Sequence, residues 1–155
     1  MKDKKACIFY FLMTIILIDF GNQLRNISYY SSVNTTFNPV FSITHINNTG
    51  SAFSLFQNQA FILAIFGILI VLFIAYQIFK NVSFQDKTQL LSMTLFSAGT
   101  LGNAIERLQY KHVVDYIKIN FINFPVFNAF DIMICVGIFL YCTYLFFDFK
   151  KAKNE

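Results

Sequence analysis

Apolar residues in this chain gather into four blocks, separated by two long polar intervals and one short one. The blocks are "ACIFYFLMTIILIDFGNQL" (6–24), "QAFILAIFGILIVLFIAYQIF" (59–79), "TQLLSMTLFSAGTLGNAIERL" (88–108) and "AFDIMICVGIFLYCTYLFFDF" (129–149). Each is close to the roughly 20 helical residues that cover about 30 Å of hydrocarbon. The second contains no charged residue, and the third is the weakest, rich in Ser, Thr and Gly. The interval 25–58 includes "FSITHI", which alternates, with Phe41, Ile43 and His45 on one side and Ser42, Thr44 and Ile46 on the other. That alternation predicts a strand, and "NNTGS" after it is turn chemistry. The interval 109–128 contains "NFPVFN", where Pro125 favours extended backbone before it. The pattern therefore predicts a membrane α-helical protein with four transmembrane helices and a small extracytoplasmic β-sheet drawn from both intervals. With no internal repeat and no flexible linker, residues 1–155 are expected to form a single integral-membrane domain.

Composition sharpens this picture. Charged residues make up 13% of the 155 and hydrophobic ones 56%, with 21 Phe and a mean hydropathy of +0.55. A soluble domain would carry about 25% charged residues. The net charge of +4 does not point to nucleic acid, because the basic residues flank the apolar blocks. Their distribution predicts orientation instead. With both termini cytoplasmic, the inside carries Lys2, Lys4, Lys5, Lys80, Lys87, Lys150, Lys151 and Lys153, and the outside only Arg25, Arg107, Lys111 and Lys118. The first block is not expected to be a cleaved signal peptide, since no small-residue cleavage site follows it. Cys7, Cys135 and Cys142 all lie in apolar segments without metal or disulfide spacing, and are expected to be small buried hydrophobes.

Against this apolar background the acidic residues are costly, by roughly 2.5–3.5 kcal/mol each on insertion scales. Glu106, Asp115 and Asp131 fall near the outer boundary, and Asp19 in the outer half of the first block. Asn128 and Asp131 are three apart, and Asn103 and Arg107 four apart, so each pair shares a helix face. Two carboxylates, two carboxamides and one guanidinium thus converge at one depth. That set suits aspartic hydrolysis. Two close carboxylates share a proton; the ionised one takes a proton from water and the protonated one polarises a carbonyl. Plainer readings stand beside this one. Asp131 is well placed as a helix N-terminal residue, Asp19 as a partner for Arg25, Ala98 and Gly102 as small helix-packing residues, and His45 as a surface residue.

The same residues resemble the lipoprotein signal peptidases (signal peptidase II) over nearly the whole chain. "IDFGNQ" resembles the family's Asp motif of the first span, and "NNTGSAFS" its N-x-G-A-A-F-S segment. "AGTLGNAIER" is similar to G-G-A-x-G-N-x-x-D-R, "VVDYI" to V-x-D-F, and "FNAFDIMICVG" to F-N-x-A-D-x-x-I-x-x-G. The resemblance implies that Asp115 and Asp131 are the catalytic pair, that Asn48, Gly50, Asn103, Arg107 and Asn128 line the site, and that Asp19 supports it. It further implies prolipoprotein substrates, cut just before a diacylglyceryl-modified cysteine at the outer leaflet of a bacterial inner membrane. Membrane lipids are then partners, with no nucleic acid, metal or cofactor required. Several letters depart from the pattern. Glu106 replaces an Asp, Ala98 a Gly, Ser51 an Ala, Gln23 a Lys and Phe20 a Gln, and Phe130 stands where the family has Ala, either crowding the site or facing lipid. The alternatives are a binding-only relative that has lost turnover, for which Phe130 is the main ground, and a proton-relay or transport protein.

Overall fold

The block without charges forms one unbroken helix of 21 residues. In the computed structural model, which describes residues 2–30, 39–50, 56–80 and 86–153, six elements follow in order. They are α1 (Lys2–Tyr30), β1 (Phe41–Asn48), α2 (Ala60–Lys80), α3 (Lys87–Tyr110), β2 (Val113–Ile119) and α4 (Ala129–Lys153). On α2 the buried positions are Ala60, Ala64, Gly67, Val71 and Ile78, a stripe at steps of three, four and seven that presents small residues to α3. Its other faces leave Phe61, Ile62, Phe66, Leu69, Leu72, Phe73 and Phe79 exposed. So much exposed apolar surface on one helix marks a lipid-facing surface.

Three helices, Lys4–Tyr30, Ala60–Lys80 and Ala129–Lys150, are long and apolar enough to cross a membrane. The chain is therefore a multi-pass membrane protein. The expected fourth span, 88–108, becomes α3, which at 24 residues is long enough but too polar to qualify by composition. The reason is its place. α3 packs against all three other helices and buries Ser92, Thr94, Ser97, Ala98, Gly99, Gly102, Asn103, Ala104 and Glu106. A helix surrounded by protein has little need of lipophilic side chains, and its polar groups find partners. Tyr10 of α1, for instance, donates to Ser97 Oγ at 2.8 Å. Against α4 the approach is close enough that a Cβ on Gly137 would come within 2.7 Å of Phe96 N.

The helix ends follow their local chemistry. Asp86 caps α3 by accepting from Thr88 N at 2.6 Å and Gln89 N at 3.2 Å. At the other end Lys111 adopts a left-handed conformation (φ 64°) and turns the chain into β2. α1 runs beyond the expected 6–24 at both ends, and its buried Tyr10, Thr14, Gly21 and Ser28 recur along one stripe.

β1 and β2 pair antiparallel, so the two polar intervals do form one small sheet. The predicted alternation of β1 holds only in part. Phe41, Ser42 and Ile43 face Ile119, Lys118 and Ile117, but the register then shifts, and Ile46, Asn47 and Asn48 face Asp115, Val114 and Val113. A bulge at Thr44 and His45 therefore interrupts the simple two-residue repeat. After β2 the chain doubles back. Phe127 accepts from Tyr116 N and Ile117 N at 3.0 and 2.8 Å and donates to Ile117 O at 3.1 Å, which delivers Asn128 beside Asp115. Cys135 and Cys142 are exposed on α4 and Cys7 is half-buried, so the expectation of buried cysteines fails for the first two, Cys135 bordering a cavity rather than a packed core.

Candidate active site

The start of α4 is a reciprocal cap. Asp131 N donates to Asn128 Oδ1 at 3.1 Å, while Asn128 N donates to Asp131 Oδ2 at 3.1 Å. This is a capping box built from Asn and Asp, and it satisfies two backbone donors that helix geometry leaves open. The helix-end reading of Asp131 is thus correct. Yet the cap occupies only one oxygen. The other, Oδ1, accepts from Asn103 Nδ2 of α3 at 2.9 Å.

Asn128 extends the network. It is 1% exposed, and its Nδ2 donates both to Asp115 Oδ1 at 2.8 Å and to Asn103 Oδ1 at 3.3 Å. Asp115 Oδ2 accepts from Asn48 Nδ2 of β1 at 2.9 Å. Asn48 in turn accepts from Gly50 N at 3.0 Å, an Asx turn that closes "NNTG". Two carboxylates from β2 and α4 are thereby joined through two carboxamides, from α3 and the α4 cap, while a third, from β1, holds Asp115 from the other side. Ser51 and the remainder of "NNTGSAFS" lie outside the described residues.

Asp115 and Asp131 both line one cavity of about 1130 Å³, together with Asn48, Gly50, Asn103 and Arg107. Away from the carboxylates its walls are mostly apolar, with Leu63 and Gly67 of α2, Ala104 of α3, and Ile132 and Val136 of α4 among them. Burial pushes the Asp115 carboxyl up to about 6; the nearby Asp131 charge adds to the rise, while Asn48, Asn128 and Arg107 oppose it. Arg107 makes no ion pair with either carboxylate. Its Nη2 donates to Gly50 O at 2.8 Å and its Nη1 to Asn103 O at 3.4 Å, so it braces the backbone of the turn and of α3. Its Nε is buried and has no partner among the described residues.

Asp19 stands apart from this group. It is exposed on α1, accepts from Gln23 Nε2 at 2.6 Å, and does not line the cavity. Nor does it pair with Arg25, which reaches Glu106 Oε1 at 3.2 Å instead. Glu106 is 2% exposed, and its Oε2 accepts from Val114 N at 2.9 Å. The longer side chain at this position thus spans from α1 to β2. Phe130 neither crowds the cavity nor faces lipid. It is 2% exposed and seated over Gly21 and Gly102, where a Cβ on either glycine would overlap its ring. The ground for a crowded site is thereby removed.

Sequence reasoning missed two supports. Tyr116 accepts from Ala129 N at 3.2 Å and so holds the first residue of α4; burial raises its phenol to about 12, which keeps it neutral. Its place in "VVDYI", one residue from Asp115, was the available signal. His45, expected at the surface, is half-buried, with Nε2 2.9 Å from Ser28 O. Among the described residues no group of three His, Cys, Asp or Glu side chains is placed to hold a metal ion.

Comparison with known proteins places this geometry. The family model described as signal peptidase (SPase) II matches residues 11–147. The lipoprotein signal peptidase of Enterococcus faecalis is 31% identical over 154 residues, covering 97% of this chain and 95% of that protein. That of Latilactobacillus sakei is 32% identical over 146 residues, covering 90% and 94%. Among solved structures, a bacterial membrane enzyme determined by the in meso method at 2.3 Å superposes with a TM-score of 0.83. It shares 24% identity and covers 94% of this chain and 92% of that one, a likeness that speaks for the fold. By the extent of the family match and of these relatives, the chain belongs to the signal peptidase II family.

Proposed function

We propose that this protein is a membrane aspartic endopeptidase that removes the signal peptide of prolipoproteins just before a diacylglyceryl-modified cysteine. The observation that carries the proposal is that Asp115 and Asp131 open onto one cavity whose surface is mostly apolar. Polar chemistry at one end and a greasy cleft between α2, α3 and α4 at the other suit a substrate with a lipid-bearing residue beside its scissile bond.

In this reading the two carboxylates share one proton. The ionised member takes a proton from water, whose oxygen attacks the scissile carbonyl carbon. The protonated member gives its proton to the carbonyl oxygen. Collapse of the tetrahedral intermediate returns that hydroxyl proton to one carboxylate, while the other protonates the departing amine and the C–N bond breaks. Asn103, Asn128 and Asn48 hold the carboxylates without adding charge. Arg107 fixes the Gly50 turn, and Asp19 acts at most from a distance, through the surface of α1.

The cellular setting belongs to the same proposal: a single domain in the bacterial inner membrane, both termini cytoplasmic, α3 as the fourth span, and the site near the outer leaflet in contact with lipid. Neither metal nor nucleic acid enters the reaction. The test is cleavage of a purified diacylglyceryl-modified prolipoprotein by wild type, Asp115→Asn and Asp131→Asn, with folding checked in parallel. Each substitution is expected to abolish turnover in a folded protein, and EDTA is expected to leave the wild-type rate unchanged. Cleavage by either folded variant, or inhibition by the chelator, would overturn the aspartic mechanism.

A further inference from the structure

β1 contains one residue more than a plain ladder against β2 needs. From Ile43 to Ile46 it takes three steps, while β2 takes two from Ile117 to Asp115. Side chains alternate along a strand, so one inserted residue moves everything beyond it to the opposite face. Without the insertion, the face of Phe41 and Ile43 would continue through His45 and Asn47, and Asn48 would turn away from Asp115. With it, Ile46 and Asn48 share the face of Asp115, and Asn48 Nδ2 comes within 2.9 Å of Asp115 Oδ2.

A two-stranded sheet is weak on its own and its register is easily lost. His45, inside the bulge, supplies an anchor. Its Nε2 lies 2.9 Å from Ser28 O, and since a carbonyl only accepts, that nitrogen carries the hydrogen. Ser28 O belongs to the last turn of α1, where carbonyls have no partner within the helix. The His45 ring also meets Tyr29 edge-on, with centroids 4.6 Å apart. One turn earlier on α1, Arg25 holds Glu106, which holds Val114 N, and Val114 faces Asn47 across the ladder. The outer end of α1 is therefore tied to both strands, at His45 of β1 and at Val114 of β2.

We infer that His45 is a positioning residue, which fastens the β1 bulge to the last turn of α1 and thereby sets Asn48 against Asp115. The inference rests on the reading of Asp115 as one of the catalytic pair. The charged groups facing Asp115 are Asp131 and Arg107, and neither touches His45, so a change at His45 reaches the carboxylate through the strand register.

The experiment is a pH–rate profile for lipoprotein cleavage, taken on wild type, His45→Ala, His45→Gln, Asn48→Ala, the double variant His45→Ala/Asn48→Ala, and a deletion of Thr44. The Asn48 hydrogen bond favours the ionised form of Asp115, so Asn48→Ala is expected to move the alkaline limb up by about one pH unit and to lower kcat roughly 10- to 100-fold. His45→Ala is expected to shift the limb in the same direction with a roughly three- to tenfold loss of kcat. His45→Gln, which retains an N–H donor, is expected to restore most of it, and the double variant to match Asn48→Ala alone. The Thr44 deletion, if it folds, is expected to match Asn48→Ala as well. A folded His45→Ala with a wild-type alkaline limb, or additive shifts in the double variant, would overturn the inference. Asp115→Asn, run alongside, separates the two failures. If it still cleaves, the reading of Asp115 is at fault; if it is inactive while His45→Ala is unchanged, only the positioning role falls.

Discussion

Asp115 sits where burial works against ionisation and three hydrogen-bond or charge partners work for it, with burial winning. Its carboxyl, raised from 3.8 to about 6, is consequently titrated close to neutrality. Since the charge of an ionised Asp131 contributes to that rise, Asp115 is the member that keeps the shared proton, and the alkaline limb of kcat/KM is expected near pH 6, above which the proton destined for the scissile carbonyl is lost; an alkaline limb several pH units higher would mean that Asp115 is not that group. For stability the sign is the same. The folded form holds this proton more tightly than the unfolded one, so the contribution of Asp115 to stability rises as pH falls from about 6 towards 4. A second residue-scale expectation concerns Phe130 and the glycines beneath it. Gly102→Ala is expected to destabilise the protein, since the new Cβ overlaps the Phe130 ring, and Phe130→Ala to cost about 3 kcal/mol or more through the cavity it leaves. Together the two changes are expected to cost less than their sum. Thermal unfolding in detergent measures this, and strict additivity would refute the packing account.

At the scale of elements, the junctions of α1, α3 and β2 rest on Glu106. This one side chain accepts from the Arg25 guanidinium and from the Val114 backbone N–H, both away from bulk water. Removing it strands a cation and a buried amide at once. Glu106→Ala is therefore expected to lower stability by about 3–5 kcal/mol, read as a fall in melting temperature in detergent. Glu106→Asp is expected to keep only one of the two bonds, because its shorter reach no longer spans from α1 to β2. An unchanged melting temperature in the alanine variant would show that the pair contributes nothing to holding the strand.

At the scale of the whole molecule, topology turns on α3. If it crosses the membrane beside the other three helices, Lys87 and Lys111 lie on opposite sides. In a background with Cys7, Cys135 and Cys142 replaced, a cysteine at Lys111 or Lys118 is expected to react with a membrane-impermeant maleimide added outside intact cells. One at Lys87 is expected to react only after permeabilisation. Equal labelling at positions 87 and 111 from outside would place both ends of α3 on one side and remove the fourth span.

Much of this molecule was legible in its sequence for a simple reason: periodicity and apolar run length report what a segment faces. The uncharged second block and the alternating "FSITHI" therefore became α2 and β1, and the pattern "FNAFD" placed a carboxamide and a carboxylate on one helical turn. α3 was harder to read, because a helix wrapped by protein loses the hydropathy that marks a span. What lay beyond the sequence was every feature set by contact between distant segments. The partner of Arg25 is Glu106 rather than Asp19, Phe130 is hidden over two glycines, and a single extra residue in β1 turns Asn48 towards Asp115. Local pattern specifies which face a side chain takes within its own element. Register and packing between elements decide which faces meet.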